Sequence, residues 1–221
     1  NNPNVLYAGT GESFAGLAGI GMFKSTDGGT TWNFLQSTTT DTALNTLGAD
    51  WVTINRIAVS PANSNVVLAA TGGGLFRSTN AGASWTKVET FEVMDLRFDP
   101  NNPANAIATG DLGFVAWTRN GGATWTRGTP LVTTLVGRGG SARAEVAYAR
   151  TRSGLVYMSL DNSPDNTGPR GEVWKSEDGG ENWVNLSAPK HLSEQGDYNN
   201  TIWVDPNNEQ HIIVGGLDLY Q

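Results

Sequence analysis

The chain has 221 residues, 38% of them hydrophobic, enough for one large all-β domain or two small ones with a buried core. Charged residues make up only 16% and the formal charge is −7, with no run of Lys or Arg, so a nucleic-acid partner held by counterion release is not expected. The absence of Cys removes disulfides, thiolate metal sites and Cys nucleophiles, and no apolar stretch approaches the roughly 20 residues of a bilayer span, so membrane insertion is not expected either.

In chain order, NNPNVLYAGT reads as a short apolar strand ending in Gly, and GMFKS as a second strand leading into STDGGTTW. The next stretch is fuller: TINRIAVSP, NVVLAATG and GLFRS are three strands closed by a Pro turn, a Gly turn and STNAGASW, with SWTKVE as a fourth. The same order returns in EVMDLRFDP, NAIATG, FVAWT, TRNGGATW and TWTRG, and again in AEVAYAR, GLVYMSL, GEVWKS, SEDGGENW and NWVNL. The chain closes on NNTIWVDPNNEQHIIVGGLDLYQ, where an octapeptide would follow.

The octapeptide is the repeat's signature. Its members are Ser25, Asp27, Gly29 and Trp32; Ser78, Asn80, Gly82 and Trp85; Thr118, Asn120, Gly122 and Trp125; and Ser176, Asp178, Gly180 and Trp183. The Asp or Asn side chain is placed to accept backbone N–H groups that a turn leaves unpaired, Gly supplies positive φ, and Trp packs beneath the turn. These acids therefore read as turn braces rather than catalysts or metal ligands. The tryptophans recur every 40 to 60 residues or so, about one four-stranded propeller blade.

The fold expected is thus all-β, a β-propeller of four-stranded antiparallel blades with about four and a half blades present. The boundaries read as a partial blade at 1–50, blades at 51–90, 91–140 and 141–197, and a partial blade at 198–221. The pattern opens without a first strand and closes without a fourth, so a segment of a larger propeller, seven-bladed or double, is expected.

With these motifs the chain resembles the BNR or Asp-box repeat superfamily, which includes sialidases, xyloglucan-cleaving glycoside hydrolases, the sortilin ectodomain and a photosystem assembly factor. More narrowly, GIGMFKSTDGGTTW, VTINRIAVSPANSNVVLAATGGGLFRSTNAGASW and TIWVDPNNEQHIIVGGLDLYQ resemble large secreted bacterial proteins labelled glycosyl-hydrolase-like or sortilin-like. The resemblance implies an extracellular or cell-surface protein. It also implies that a sialidase-type site would need an arginine triad and a Tyr–Glu pair, and a xyloglucanase-type site two aspartates across a cleft between two propellers.

Candidate chemistry is sparse. Arg138, Arg143, Arg150 and Arg152 gather near Glu145 and Tyr148, although a loop and one strand with alternating faces would also place them there and no triad spacing is met. Glu12, Asp50, Glu92, Asp95, Glu145, Asp197 and Asp218 lie near inner strands or blade-end loops. Among aromatic residues outside the octapeptides, Trp51 and Tyr198 sit beside polar loop residues, as sugar-binding rings do, whereas Trp117 and Trp174 fall at a core position of the repeat. The binding candidates are therefore Trp51, Tyr198, Arg143 and Glu145, with no catalytic residue assigned. His191 and His211 form no zinc motif, the Asp161 to Asn166 loop reads as turn chemistry, and no cofactor or metal is expected.

The leading expectation is a binding or scaffold module for a glycan or an extracellular protein. The alternatives are part of a glycoside hydrolase whose catalytic carboxylates are incomplete in this chain, or a structural subunit paired with other chains or further blades.

Overall fold

The computed structural model describes residues 2–12, 16–39, 49–110, 113–131, 143–162, 170–192, 196, 199–217 and 219–220. Among these, the strands form five antiparallel sheets, each a meander in chain order. The first holds β1 (Leu6–Gly9), β2 (Met22–Ser25) and β3 (Asn33–Phe34). The second holds β4 (Ile54–Val59), β5 (Val67–Thr71), β6 (Gly74–Ser78) and β7 (Thr86–Glu89), and the third β8 (Val93–Phe98), β9 (Ala106–Gly110), β10 (Val115–Thr118) and β11 (Thr126–Arg127). The fourth holds β12 (Ala144–Tyr148), β13 (Val156–Leu160), β14 (Glu172–Ser176) and β15 (Val184–Ser187), and the last β16 (Thr201–Asp205), β17 (Asn208–Gly215) and β18 (Leu219–Tyr220).

The sheets stand side by side like blades. First strands neighbour one another in succession, β4 beside β8, β8 beside β12 and β12 beside β16, so each sheet turns the same edge inwards. The central strands β5, β9 and β13 are buried along their whole length, which is why VLAAT, AIATG and VYMSL are nearly continuous apolar runs rather than alternating ones. The core lies between sheets. Leu68 and Ala70 of β5 pack with Leu96, Ala106 and Ala108 of the next sheet, and Ile107 of β9 packs with Val146, Val156 and Met158 of the one after.

The octapeptide turns have one repeated geometry. Ser25 Oγ donates to Asp27 Oδ1 at 2.7 Å and accepts the Gly29 N–H at 2.9 Å, while Asp27 Oδ1 accepts the Thr31 N–H at 2.9 Å. The same three bonds recur around Ser78 and Asn80, Thr118 and Asn120, and Ser176 and Asp178. The side chains thus complete a turn that ladder bonds cannot. Trp32, Trp125 and Trp183 each donate an indole N–H to the Gly carbonyl three residues before; Trp85 Nε1 has no partner among the described residues. Trp32 remains 42% exposed, and the other three are partly buried.

The second glycine of the pair is fixed by packing as well as by φ. A Cβ at Gly122 would stand 2.7 Å from Leu68 Cδ2, and one at Gly180 2.6 Å from Ile107 Cδ1, so each turn presses its backbone against the preceding sheet. At the first glycine position, Gly28, Gly121 and Gly179 have φ of 74°, 66° and 74°, but the second turn carries Ala81 at φ 56°. A left-handed alanine costs about 1 kcal/mol, partly offset by its lower unfolded-state entropy. Ala81→Gly should raise unfolding stability by about 0.5 kcal/mol. Gly121→Ala, where a Cβ meets nothing closer than Pro103 O at 3.9 Å, should lower it by about 0.5 kcal/mol. Urea unfolding of the two variants checks the opposite signs; equal shifts would refute the strain.

Candidate functional site

Three charged side chains occupy the same register on successive inner strands: Arg56 on β4, Asp95 on β8 and Glu145 on β12 each fall three residues before the strand's last residue. The sheet geometry makes them meet. Arg56 donates through Nε to Asp95 Oδ1 at 2.6 Å and through a terminal nitrogen to Glu145 Oε2 at 2.8 Å. Asp95 is fully buried and its oxygens are filled. Oδ1 also takes the Leu96 N–H at 2.8 Å, and Oδ2 takes the Val146 N–H at 3.0 Å and is ion-paired with Arg97, whose Nε lies 3.3 Å away. Arg143 donates to Glu145 Oε1 at 2.9 Å and ties the backbone through its carbonyl to Asn200 Nδ2 at 3.0 Å.

This network is a clamp between blades. Breaking it by removing one partner strands a buried charge, the costly case for an ion pair. It is also closed to substrate, since Asp95 and Glu145 are 0% and 4% exposed. Beside it, Ser159 Oγ lies 2.7 Å from His191 Nε2 and donates to Asn200 Oδ1 at 2.6 Å, all within the buried interior. Burial holds the His191 pKa down to about 4, so the imidazole is neutral around pH 7.

Where the sheets open, a groove of about 510 Å³ runs between the ends of β8, β12 and β16. Arg97, Pro100, Tyr148, Arg150, Trp203 and Pro206 are among its lining residues, and Trp203 is 46% exposed. Arg97 and Trp203 stand at one repeat position, each two residues before the Asp of an Asp-Pro turn.

The residues singled out from the sequence are distributed unevenly. Arg143 and Glu145 do meet, in the clamp rather than on a surface. Trp51 is only 6% exposed, because its φ of 67° turns the ring inwards between Phe76 and Trp85, with ring centroids 4.3 and 5.0 Å away. Tyr198, Arg138, Asp197, Asp218 and residues 163–166 of the Asp161 loop lie outside the described residues. Asp50 accepts Lys87, Arg152 pairs with Glu177 at 3.3 Å, and His211 with Asp205 at 3.2 Å. Among the described residues no three His, Asp or Glu side chains group to hold a metal, and no helix is long and apolar enough to cross a membrane. The sequence singles out neither Arg56 nor Arg97 and ranks Trp203 below Trp51 and Tyr198 among the aromatic residues outside the octapeptides, yet the shared register of Arg56, Asp95 and Glu145 is readable from the aligned strands.

Glu145 should be visible in pH dependence. Its carboxyl is pushed from 4.5 up to about 7, first by burial and then by the Asp95 carboxylate, against the pull of Arg143 and Arg56. The folded protein holds this proton more tightly than the unfolded chain does. The contribution is therefore fully present below pH 4.5 and is lost as pH rises through about 7. Across that window the urea midpoint of the protein should fall relative to Glu145→Gln; parallel curves would show that the carboxylate is ionised throughout.

No known family's sequence profile matches the chain. Two curated relatives do: a xyloglucanase of Hypocrea jecorina, 25% identical over 160 residues (60% of this chain, 19% of the relative), and xyloglucanase Xgh74A of Acetivibrio thermocellus, 25% identical over 195 residues (75% and 22%). The chain thus spans 19% to 22% of the length of these relatives. Among solved structures, an ancestral GH74 enzyme superposes with a TM-score of 0.67 at 22% identity, over 100% of this chain and 30% of its own. YCF48 from Cyanidioschyzon merolae superposes with a TM-score of 0.53 at 16% identity, over 98% and 65%. The two structures show likeness of fold alone. These findings correct the placement drawn from the octapeptide: a turn reused beneath unrelated sites does not carry a family. The curated relatives the chain is similar to are xyloglucanases, not proteins of the BNR/Asp-box or sortilin-like groups.

Proposed function

We propose that the chain is a segment of a xyloglucanase-type glycoside hydrolase, that its five sheets are blades of a larger β-propeller with boundaries near residues 50, 90, 140 and 197, and that it works on glycan outside the cell. The observation that carries this reading is the 25% identity to a xyloglucanase over 195 residues. A module that only binds is the weaker reading, since both curated relatives named are hydrolases.

Glycoside hydrolysis uses two carboxyl groups about 5 to 9.5 Å apart that both reach the glycosidic bond. Asp95 and Glu145 are neighbours, but both are enclosed by arginines and backbone N–H groups, so we assign neither to the chemistry. The part of this segment is to hold the polysaccharide. The groove beside Trp203 has the needed build: an exposed indole face for a sugar ring, flanked by Pro100, Pro206 and guanidinium donors.

Xyloglucan is the polymer to test first. The protein should bind it. Trp203→Ala should weaken binding about 5- to 10-fold, as expected for loss of an aromatic contact worth about 1 to 1.5 kcal/mol. Thermal melting controls for folding. No binding to xyloglucan, or binding indifferent to Trp203, would contradict the proposal.

A further inference from the structure

We infer that the face of the last sheet turned away from the fourth, built on Ile213 and Leu219, is a docking face for an octapeptide turn, and that its occupant is the first sheet of a second copy of this chain. The inference does not depend on the glycan reading. The groove lies along the inner edge, and Arg97, at the position of Trp203, keeps its side chain 39% exposed there although the fourth sheet already stands beside the third. Covering the free face of the last sheet therefore leaves Trp203 beside an open groove.

The first three sheets each offer their successor the same seat. In β5 the seat is Leu68, opposite Ala58, and in β9 it is Ile107, opposite Arg97. Both are fully buried, with Gly122 and Gly180 of the following octapeptide turns pressed on them. Tyr7 and Leu35 receive Gly82 in the same way, a Cβ there standing 3.6 and 3.0 Å from them. Ile213 lies opposite Trp203 at the same register of β17, and Leu219 lies opposite Gly215 as Leu75 lies opposite Ala70. Side chains alternate along a strand, so with Ile202, Val204 and Val214 packed back on the fourth sheet, Ile213 and Leu219 project from the other face. There Ile213 is half-buried and Leu219 is 78% exposed, whereas Leu68 and Leu75 are sealed by apolar residues of the next sheet.

The first sheet carries the matching turn. Its octapeptide keeps the geometry of the other three, yet a Cβ at Gly29 meets only Leu6 and Trp32 of its own sheet, at 3.4 and 3.8 Å. Tyr7, Met22 and Leu35 face the second sheet. Leu6, Phe23 and Trp32 are turned the opposite way, at the repeat positions that Val67, Phe76 and Trp85 hold in the second sheet. Phe76 and Trp85 pack back on the first sheet, whereas Leu6 and Trp32 remain exposed. Burial of such apolar surface is the main gain in association. One copy thus has a seat without a turn and a turn without a seat, and two copies satisfy each other head to tail.

The test is sedimentation of the chain and of its Leu219→Asp, Ile213→Asp and Leu6→Asp variants over a concentration series. The chain should associate at micromolar concentrations, and each substitution should weaken association at least about tenfold, because it sets a carboxylate against an apolar contact. Leu219 is a surface side chain, so its variant reports on docking even if Ile213→Asp unfolds; thermal melting checks each. A mixture of Leu219→Asp with Leu6→Asp keeps one intact seat and one intact turn, and should give a dimer that grows no further. A chain monomeric throughout the series would overturn the proposal and leave the face to a further blade of a longer chain. Association that all three variants retain would overturn it by placing the contact elsewhere. A mixture no more associated than its parts would overturn it by removing the head-to-tail pairing. None of these results touches the Trp203-dependent binding of xyloglucan, which tests the glycan reading separately.

Discussion

Among the described residues the five sheets pair no strand with one another, so most of what holds them together has to be supplied by side chains and turns. Within a sheet the backbone ladder is sufficient; between sheets no ladder runs, and the backbone adds only single bonds such as the Ile54 N–H to the Thr10 carbonyl at 3.1 Å. The buried Asp95 carboxylate is the most concentrated answer to this constraint. It accepts a backbone N–H from β12, one from its own strand and the Arg56 guanidinium, and pairs with Arg97, thereby linking β4, β8 and β12 at their inner edge. Glu145 extends the link through Arg56 and Arg143, and Asn200 carries it to the approach of β16. Farther from the inner edge, apolar packing takes over, and at the octapeptide turns glycine backbones seat directly on the previous sheet.

The same constraint decides where chemistry can happen. Acids drawn into the inner clamp are engaged by donors and closed to solvent, so Asp95 and Glu145 are structural. The open ends of the inner strands are different. There the Asp-Pro turns absorb their own carboxylates, and the neighbouring positions, Arg97, Arg150 and Trp203, line an accessible groove. A repeat architecture allows this because one register position can carry a clamp residue in one blade and a wall residue in another.

Much of the fold was legible in the sequence because its signals are local. A Ser or Thr, an Asp or Asn two residues on, and glycines at positive φ define a turn within eight residues, and the sheets follow from the apolar runs between such turns. The site was harder to read because its contacts are remote: Arg56 is 39 residues from Asp95 and 89 from Glu145. Only the equivalence of inner strands could have brought them together on paper. Trp51 shows the reverse problem, since polar neighbours implied a surface ring and a positive φ turned it into the core. Kinship was misplaced for a related reason: the turn motif dominates the sequence but belongs to the architecture, whereas the xyloglucanase relationship is spread over some 195 residues.

The most direct test of the account is a crystal structure of the protein with a bound xyloglucan oligosaccharide. With xyloglucan oligosaccharide as the ligand, the account predicts a sugar ring against Trp203 in the groove between β8, β12 and β16, with the inner clamp of Arg56, Asp95 and Glu145 unchanged behind it. A saccharide seated elsewhere, with the groove empty, would contradict it.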